Sequence, residues 1–416
     1  MRLIAGWTVG CVFPFIVAPM AAPALLPLCA APPLAWYWAA ERRLPLRQPS
    51  AVVLALAVAS IYLLINASWS LSPAAAYRSV VFFAAIAVGA YLLINTLYDT
   101  DRAVLHAMAV GFLVAMVAGS VIICVEAFSG QALRRLVLSY LPALQGAARH
   151  MQVDGGWVTK VQPHLLNRSM TALTLLFWPA VLVIDRLGLT RRQRMWLLIA
   201  LVPAAAAIAR SAHGTSKVAF VCAAAVYVLF LLSPMLGKWL VRAGWVAASV
   251  LVVPMAMLLY GAQFYQEAWL PSSAQHRIVI WGYTADQVAK APLLGVGVST
   301  ARALSDNDNK DLPNAPGSTF QLSTNLHSHN AYLQIWFETG VVGALILLGL
   351  GLLVLRALAA APLAAQPPLY ATFAACGLLA AASFSIWAPW FMACLAIAST
   401  YACLGIALAS PRCGAD

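Results

Sequence analysis

Apolar runs, each close to the length that crosses a bilayer, recur along nearly all of this 416-residue chain. A transmembrane helix needs about 20 consecutive apolar residues. Such runs fall at roughly 3–20, 22–40, 51–69, 78–97, 103–126, 168–184, 195–210, 217–235, 245–262, 337–356, 369–387 and 390–409. Only 9% of the residues are charged and 63% are hydrophobic, so a water-soluble protein of this composition could not cover its own surface. In lipid the backbone must satisfy its own hydrogen bonds, which forces these runs into helices. The expected fold is an all-α integral membrane protein of about twelve transmembrane helices, a single polytopic domain over residues 1–416. Arg2 and the apolar stretch after it lack a small-residue cleavage site and read as a retained first helix. Pro32 and Pro33 predict a kink or break in the second span.

Charge is distributed to match. The formal net charge is +12, but the basic residues are scattered between spans with no dense run, so nucleic acid is not an expected partner. The eight cysteines form no Cys-x-x-Cys pair and read as small buried apolar residues. Loops after spans 2, 6 and 8 carry Arg42, Arg43 and Arg47; Arg186, Arg191, Arg192 and Arg194; and Lys238 and Arg242. If these lie in the cytoplasm, so do both termini. Two long segments, 127–167 and 263–336, then face outward, the second lying between spans 9 and 10 and expected to be partly helical.

Those outward segments hold most of the chain's polar chemistry. Arg134, Arg135, Arg149, Lys160, His164 and Arg168 belong to the first, and Arg277, Lys290, Arg302, Lys310, His327 and His329 to the second. A short outward turn adds Arg210, His213 and Lys217, and acidic partners are few. Arg168, Arg210 and Lys217 stand at the outer ends of spans 6, 7 and 8, where a planar guanidinium suits phosphate. The plainer account is cations snorkelling to lipid headgroups. His329 stands at the junction between a polar loop and span 10, where an imidazole can take a proton from a hydroxyl. Capping that helix is the alternative role. Gly340 and Gly343, three apart, would let another backbone approach. The run Asp306-Asn-Asp308-Asn-Lys-Asp311 suggests a hard-cation loop but lacks the glycine and terminal glutamate of an EF-hand. His327-x-His329 has neither a His-Glu-x-x-His pattern nor a nearby cysteine to make zinc the better reading, so no metal is expected. Glu338 reads as a helix-surface or pairing residue. Trp157, Tyr265, Trp269, Trp281 and Trp336 read as interfacial anchors.

His329-Asn330, nine residues and Gly340-Val-Val-Gly343 resembles the His-(Asn/Ser/Gln)…Gly-x-x-Gly pattern of bacterial O-antigen ligases. Arg277-Ile-Val-Ile-Trp281 and Pro292-Leu-Leu-Gly295-Val-Gly297 resemble that family's upstream stretch. O-antigen polymerases and protein O-oligosaccharyltransferases are related. The resemblance implies a metal-independent, inverting glycosyltransferase without cofactors, facing the periplasm from the bacterial inner membrane. It would move O-antigen from undecaprenyl pyrophosphate to a sugar hydroxyl of lipid A core. By position, His329 would be the general base and Arg277 and Arg168 would bind the donor pyrophosphate. Relatives often carry Ser-Arg where this chain has Ser216-Lys217, leaving Lys217 or Arg210 to supply that cation. Asn330, Gly340, Gly343, Trp281 and His327 would be supporting positions. A transporter would instead place ionisable groups near the midplane, where only Glu126 comes close.

Overall fold

The computed structural model describes residues 1–142, 150–301 and 328–409. Among these, ten helices are long and apolar enough to span a membrane, and a bent pair makes an eleventh. With the shorter apolar helix α1 (Arg2–Val17) they correspond one to one with the expected spans. The chain is an all-α multi-span membrane protein.

The helices follow as α2 (Ala22–Glu41), α3 (Ala51–Asn66), α4 (Pro73–Asp99), α5 (Arg102–Phe128), α6 (Ala132–Tyr140) and α7 (Asn167–Arg186). After them come α8 (Arg191–Ala200), α9 (Val202–Arg210), α10 (Gly214–Leu232), α11 (Pro234–Val250), α12 (Val252–Gly261) and α13 (Ser272–Lys290). The last three are α14 (Ala331–Ala360), α15 (Gln366–Ala382) and α16 (Pro389–Ala409). Helix α7 is the axle of the bundle: Ser169–Leu176 and Trp178–Ile184 are buried, as expected of a helix apolar all round. α1, α5, α9, α10, α15 and α16 pack about it.

Four expectations change. The second span is not broken: α2 runs through Pro27, Pro32 and Pro33 as one helix, because a bilayer tolerates a freed carbonyl where neighbouring groups re-satisfy it. Lys238 and Arg242 do not lie in a loop. Ser233 caps α11 through the Leu236 amide and Pro234 occupies its first turn, so both cations fall inside the helix. The ninth span is bent, α11 meeting α12 at 67°. Pro254 explains the bend, since its ring would collide with the carbonyl four residues back, at Val250. The segment 127–167 also contains two strands, β1 (Met151–Asp154) and β2 (Trp157–Val161), paired antiparallel. Gly155 and Gly156, at φ 54° and 82°, supply the tight turn between them.

The polar connections sort to two ends of the bundle. At one end Tyr37 and Arg47 bind Asp99, Asn95 reaches the Pro45 carbonyl (2.9 Å), and Arg194 pairs with Asp185 (2.8 Å). At the other, Ser169 donates to the Val17 carbonyl (3.3 Å), Asn66 to Leu294 (2.9 Å) and Thr215 to Ala382 (3.0 Å). The Arg-rich stretches 42–47 and 186–194 therefore lie opposite the end that carries α6, the hairpin and α13, with Arg186 closing α7 and Arg191, Arg192 and Arg194 in α8 rather than in a loop.

Candidate functional site

The motif residues assemble through the backbone. Asn330 caps α14, its Oδ1 accepting from the Leu333 amide (3.1 Å). That leaves His329 just outside the helix with a left-handed backbone, φ 54°. Arg277 and Trp281 are four apart on α13 and so share one face. The Trp281 indole donates to the carbonyl of Ser328 (2.8 Å), which pins α13 against the approach to α14 and brings Arg277 to His329. The charge of Arg277 acts on the rings of both His329 and His213.

His329 is directed from a third element. Its Nδ1 donates to the carbonyl of Ser383, past the end of α15, at 2.9 Å. A carbonyl cannot donate, so this bond selects the tautomer with the lone pair on Nε2. Burial holds the His329 imidazole below its ordinary range, and the Arg277 charge pushes the same way against the Ser383 bond. Arg277 is itself pushed down by burial, and its Nε is enclosed without a hydrogen-bond partner among the described residues.

Arg168 begins α7 across a row of aromatic rings. Its guanidinium lies over Trp390 (5.8 Å), Trp390 packs edge-on to Phe384 (4.6 Å), and Phe384 lies 5.7 Å from the His213 ring. The Nε of Arg168 is likewise enclosed and unpartnered among the described residues. Arg210 is exposed at the end of α9, and Lys217 half-buried in the first turn of α10, on either side of His213. His327, Arg149, Arg302, Lys310 and the Asp306–Asp311 run lie outside the described residues. Among those described, no three His, Cys, Asp or Glu side chains converge as metal ligands do.

The glycine motif is a splice. At Gly340 the backbone leaves the helix (φ 63°, ψ −163°), freeing groups on both sides. Val296 and Gly297 amides donate to the carbonyls of Phe337 (3.1 Å) and Glu338 (2.9 Å), and the Val341 amide donates to Pro292 (2.8 Å). Asn66 joins from α3, accepting from the Val298 amide (2.8 Å) and donating to Leu294. Tyr62 donates to the Thr339 carbonyl (2.6 Å). The Pro-x-x-Gly-x-Gly and Gly-x-x-Gly stretches thus dock on each other.

Several roles escaped the sequence. Glu338 is not on a helix surface: it is fully buried, accepting from the Trp387 indole, the Ala301 amide (3.3 Å) and Gln334 (3.4 Å). Glu126 caps α6 through the amides of Leu133 (2.7 Å) and Arg134 (3.2 Å). Half-buried Trp281 and Trp336 also fasten elements together; Trp336 donates to the Ser249 carbonyl (2.7 Å). His213 and Ser383 had no motif to flag them.

Residues 199–348 match the family model described as O-antigen ligase. The chain is 26% identical over 188 residues to a Rickettsia felis protein carrying the provisional name polysaccharide ligase, covering 44% of each chain. Proteins of the same provisional name match from Rickettsia conorii (24% over 188 residues, 44% of each) and Rickettsia prowazekii (23% over 232 residues, 55% of this chain and 56% of the relative). The chain thus spans about half the length of the curated relatives it matches. The segment 199–348, set in a larger helical bundle, is thus similar to the O-antigen ligase family.

Proposed function

We propose that this membrane-embedded chain is an O-antigen ligase, transferring O-antigen from undecaprenyl pyrophosphate to a sugar hydroxyl of lipid A core. The reaction takes place at the periplasmic face of the bacterial inner membrane. The orientation is supported by the Arg-rich stretches gathered at the end away from His329, which puts them and both termini in the cytoplasm.

The observation that carries the reading is the Trp281–Ser328 bond, because it seats a half-buried arginine beside an imidazole whose tautomer is already selected. The acceptor hydroxyl oxygen attacks the anomeric carbon as the bond from that carbon to the pyrophosphate oxygen breaks. Its proton passes to Nε2 of His329. The charge developing on the departing pyrophosphate meets Arg277 and, across the aromatic row, Arg168, with Arg210 and Lys217 flanking. One in-line displacement inverts the anomeric centre, and no step calls on a metal or cofactor. Glu126 is occupied in capping α6, which removes the carboxylate that a transporter reading would have used.

The test is ligation by the purified full-length chain in lipid nanodiscs, with lipid-linked glycan and lipid A core, with and without chelator. His329→Ala and Arg277→Ala are each expected to unfold like the wild type and to lose ~100-fold or more in rate. Full ligation by either variant removes that residue from the mechanism. Product formed only by extension of the donor glycan would make the chain a polymerase, and product lost to chelator would overturn the metal-independent mechanism.

A further inference from the structure

The turn between α9 and α10 is tied to the end of α15 by two side chains. Thr215 donates to the Ala382 carbonyl (3.0 Å). One residue on, Ser383 Oγ lies 3.4 Å from Nε2 of His213, whose Nδ1 lies 2.6 Å from Ser216 Oγ. His213, Ser216 and Ser383 are all buried. A buried imidazole needs partners, and here a hydroxyl meets each ring nitrogen. Phe384 packs against the same ring at 5.7 Å.

Ser383 stands past the last turn of α15 with φ −128° and ψ −67°, so no helix ladder fixes the direction of its carbonyl. That carbonyl is the acceptor for Nδ1 of His329. The Ser383 hydroxyl turns to one histidine while its carbonyl turns to the other. We propose that His213 is a positioning residue. By holding Ser383 it fixes the carbonyl that selects the His329 tautomer, and so keeps the lone pair on Nε2 of His329 ready for the acceptor. The inference rests on His329 being the base in the ligation proposed above. Burial first, and the Arg277 charge second, push His213 down to about 4. The strut is therefore neutral and adds no second charge beside Arg277.

The experiment uses the full-length chain in nanodiscs with His213→Leu, His213→Gln and Ser383→Ala, and two readouts. In steady-state ligation with undecaprenyl-pyrophosphate-linked glycan and lipid A core, His213→Leu is expected to lower kcat ~10- to 100-fold, the scale of a misplaced catalytic group. KM for both substrates should stay within ~2-fold, and His213→Gln, which can still donate toward Ser383, should return kcat to within ~3-fold of wild type. In ¹⁵N-histidine spectra, with the His329 signals assigned by their loss in His329→Gln, the wild type should hold one tautomer protonated on Nδ1. His213→Leu and Ser383→Ala should show both tautomers. The inference is overturned if His213→Leu keeps wild-type kcat, if the glutamine variant is as slow as the leucine one, or if His329 keeps a single tautomer throughout. Should His213→Leu fail to fold, Ser383→Ala carries the test, and wild-type kcat there overturns it. A wild type that ligates nothing defeats the ligase reading alone, and the nitrogen spectra then decide the strut by themselves.

Discussion

Replacing Gly340 with alanine strikes the backbone where two stretches of the chain are joined. The φ 63°, ψ −163° pair lies in a region that essentially only glycine occupies, and forcing another residue there costs about 1–3 kcal/mol. The added Cβ would also meet the carbonyl of Leu293 and the amide of Leu294, rigid main chain that cannot swing aside as a side-chain tip could. Pushing them away stretches the Val341–Pro292 bond and the longer Val342–Leu293 contact (3.4 Å). A buried backbone group left unpaired costs about 1–3 kcal/mol, so the variant should lose about 2–6 kcal/mol in all. Unfolding in mixed micelles, followed by circular dichroism as denaturing detergent is added, measures the loss. Gly349→Ala is the control, because a Cβ there meets nothing within 4 Å and the helix should hold or gain up to about 1 kcal/mol. A Gly340→Ala protein within about 1 kcal/mol of wild type would refute the splice as a source of stability.

Acid should unfold the site end of the bundle before it unfolds the rest. The folded pKa of His213 is about 4 against an ordinary 6.5, so the unfolded chain takes up the proton first as pH falls. Its stabilisation is complete above about 6.5 and is lost down to about 4, a difference of about 3 kcal/mol. His213→Gln should flatten that part of a stability-versus-pH curve, and an unchanged curve would contradict it. The His329 shift has the same direction, so kcat/KM should stay level as pH falls to about 6.5 and drop only below it, as a pH–rate profile would record. Trp387→Phe removes a donor from the buried Glu338 carboxylate and should cost about 2–4 kcal/mol in the same micelle assay, part of it returned by adding Glu338→Gln.

The spans were legible because lipid imposes one rule on every stretch of backbone, and run length alone then locates the helices. His329, Asn330, Arg277, Trp281, Gly340 and Gly343 were legible as a pattern, but the reasons for the pattern were not. Nothing in the spacing says that Trp281 serves the Ser328 carbonyl, or that Gly340 is there to admit Leu293. Those are contacts between segments some fifty residues apart, and local periodicity carries no information about them. Ser383 was invisible for a related reason: one serine in an apolar run ordinarily bonds its own helix, whereas this one lies past the helix end with its carbonyl turned to His329. Lys238 and Arg242 misled because charge reads as loop, although a long side chain within a helix can still reach the headgroups.

Asn66 fills the gap between Val298 and Leu294, yet it sits more than a hundred residues ahead of the stretch shared with the ligase family. The recognisable segment is consequently not a module that could be cut out and carried to another scaffold. Its broken helix is finished by an amide from the first quarter of the polypeptide, so any chimera exchanging 199–348 must bring a compatible third helix with it.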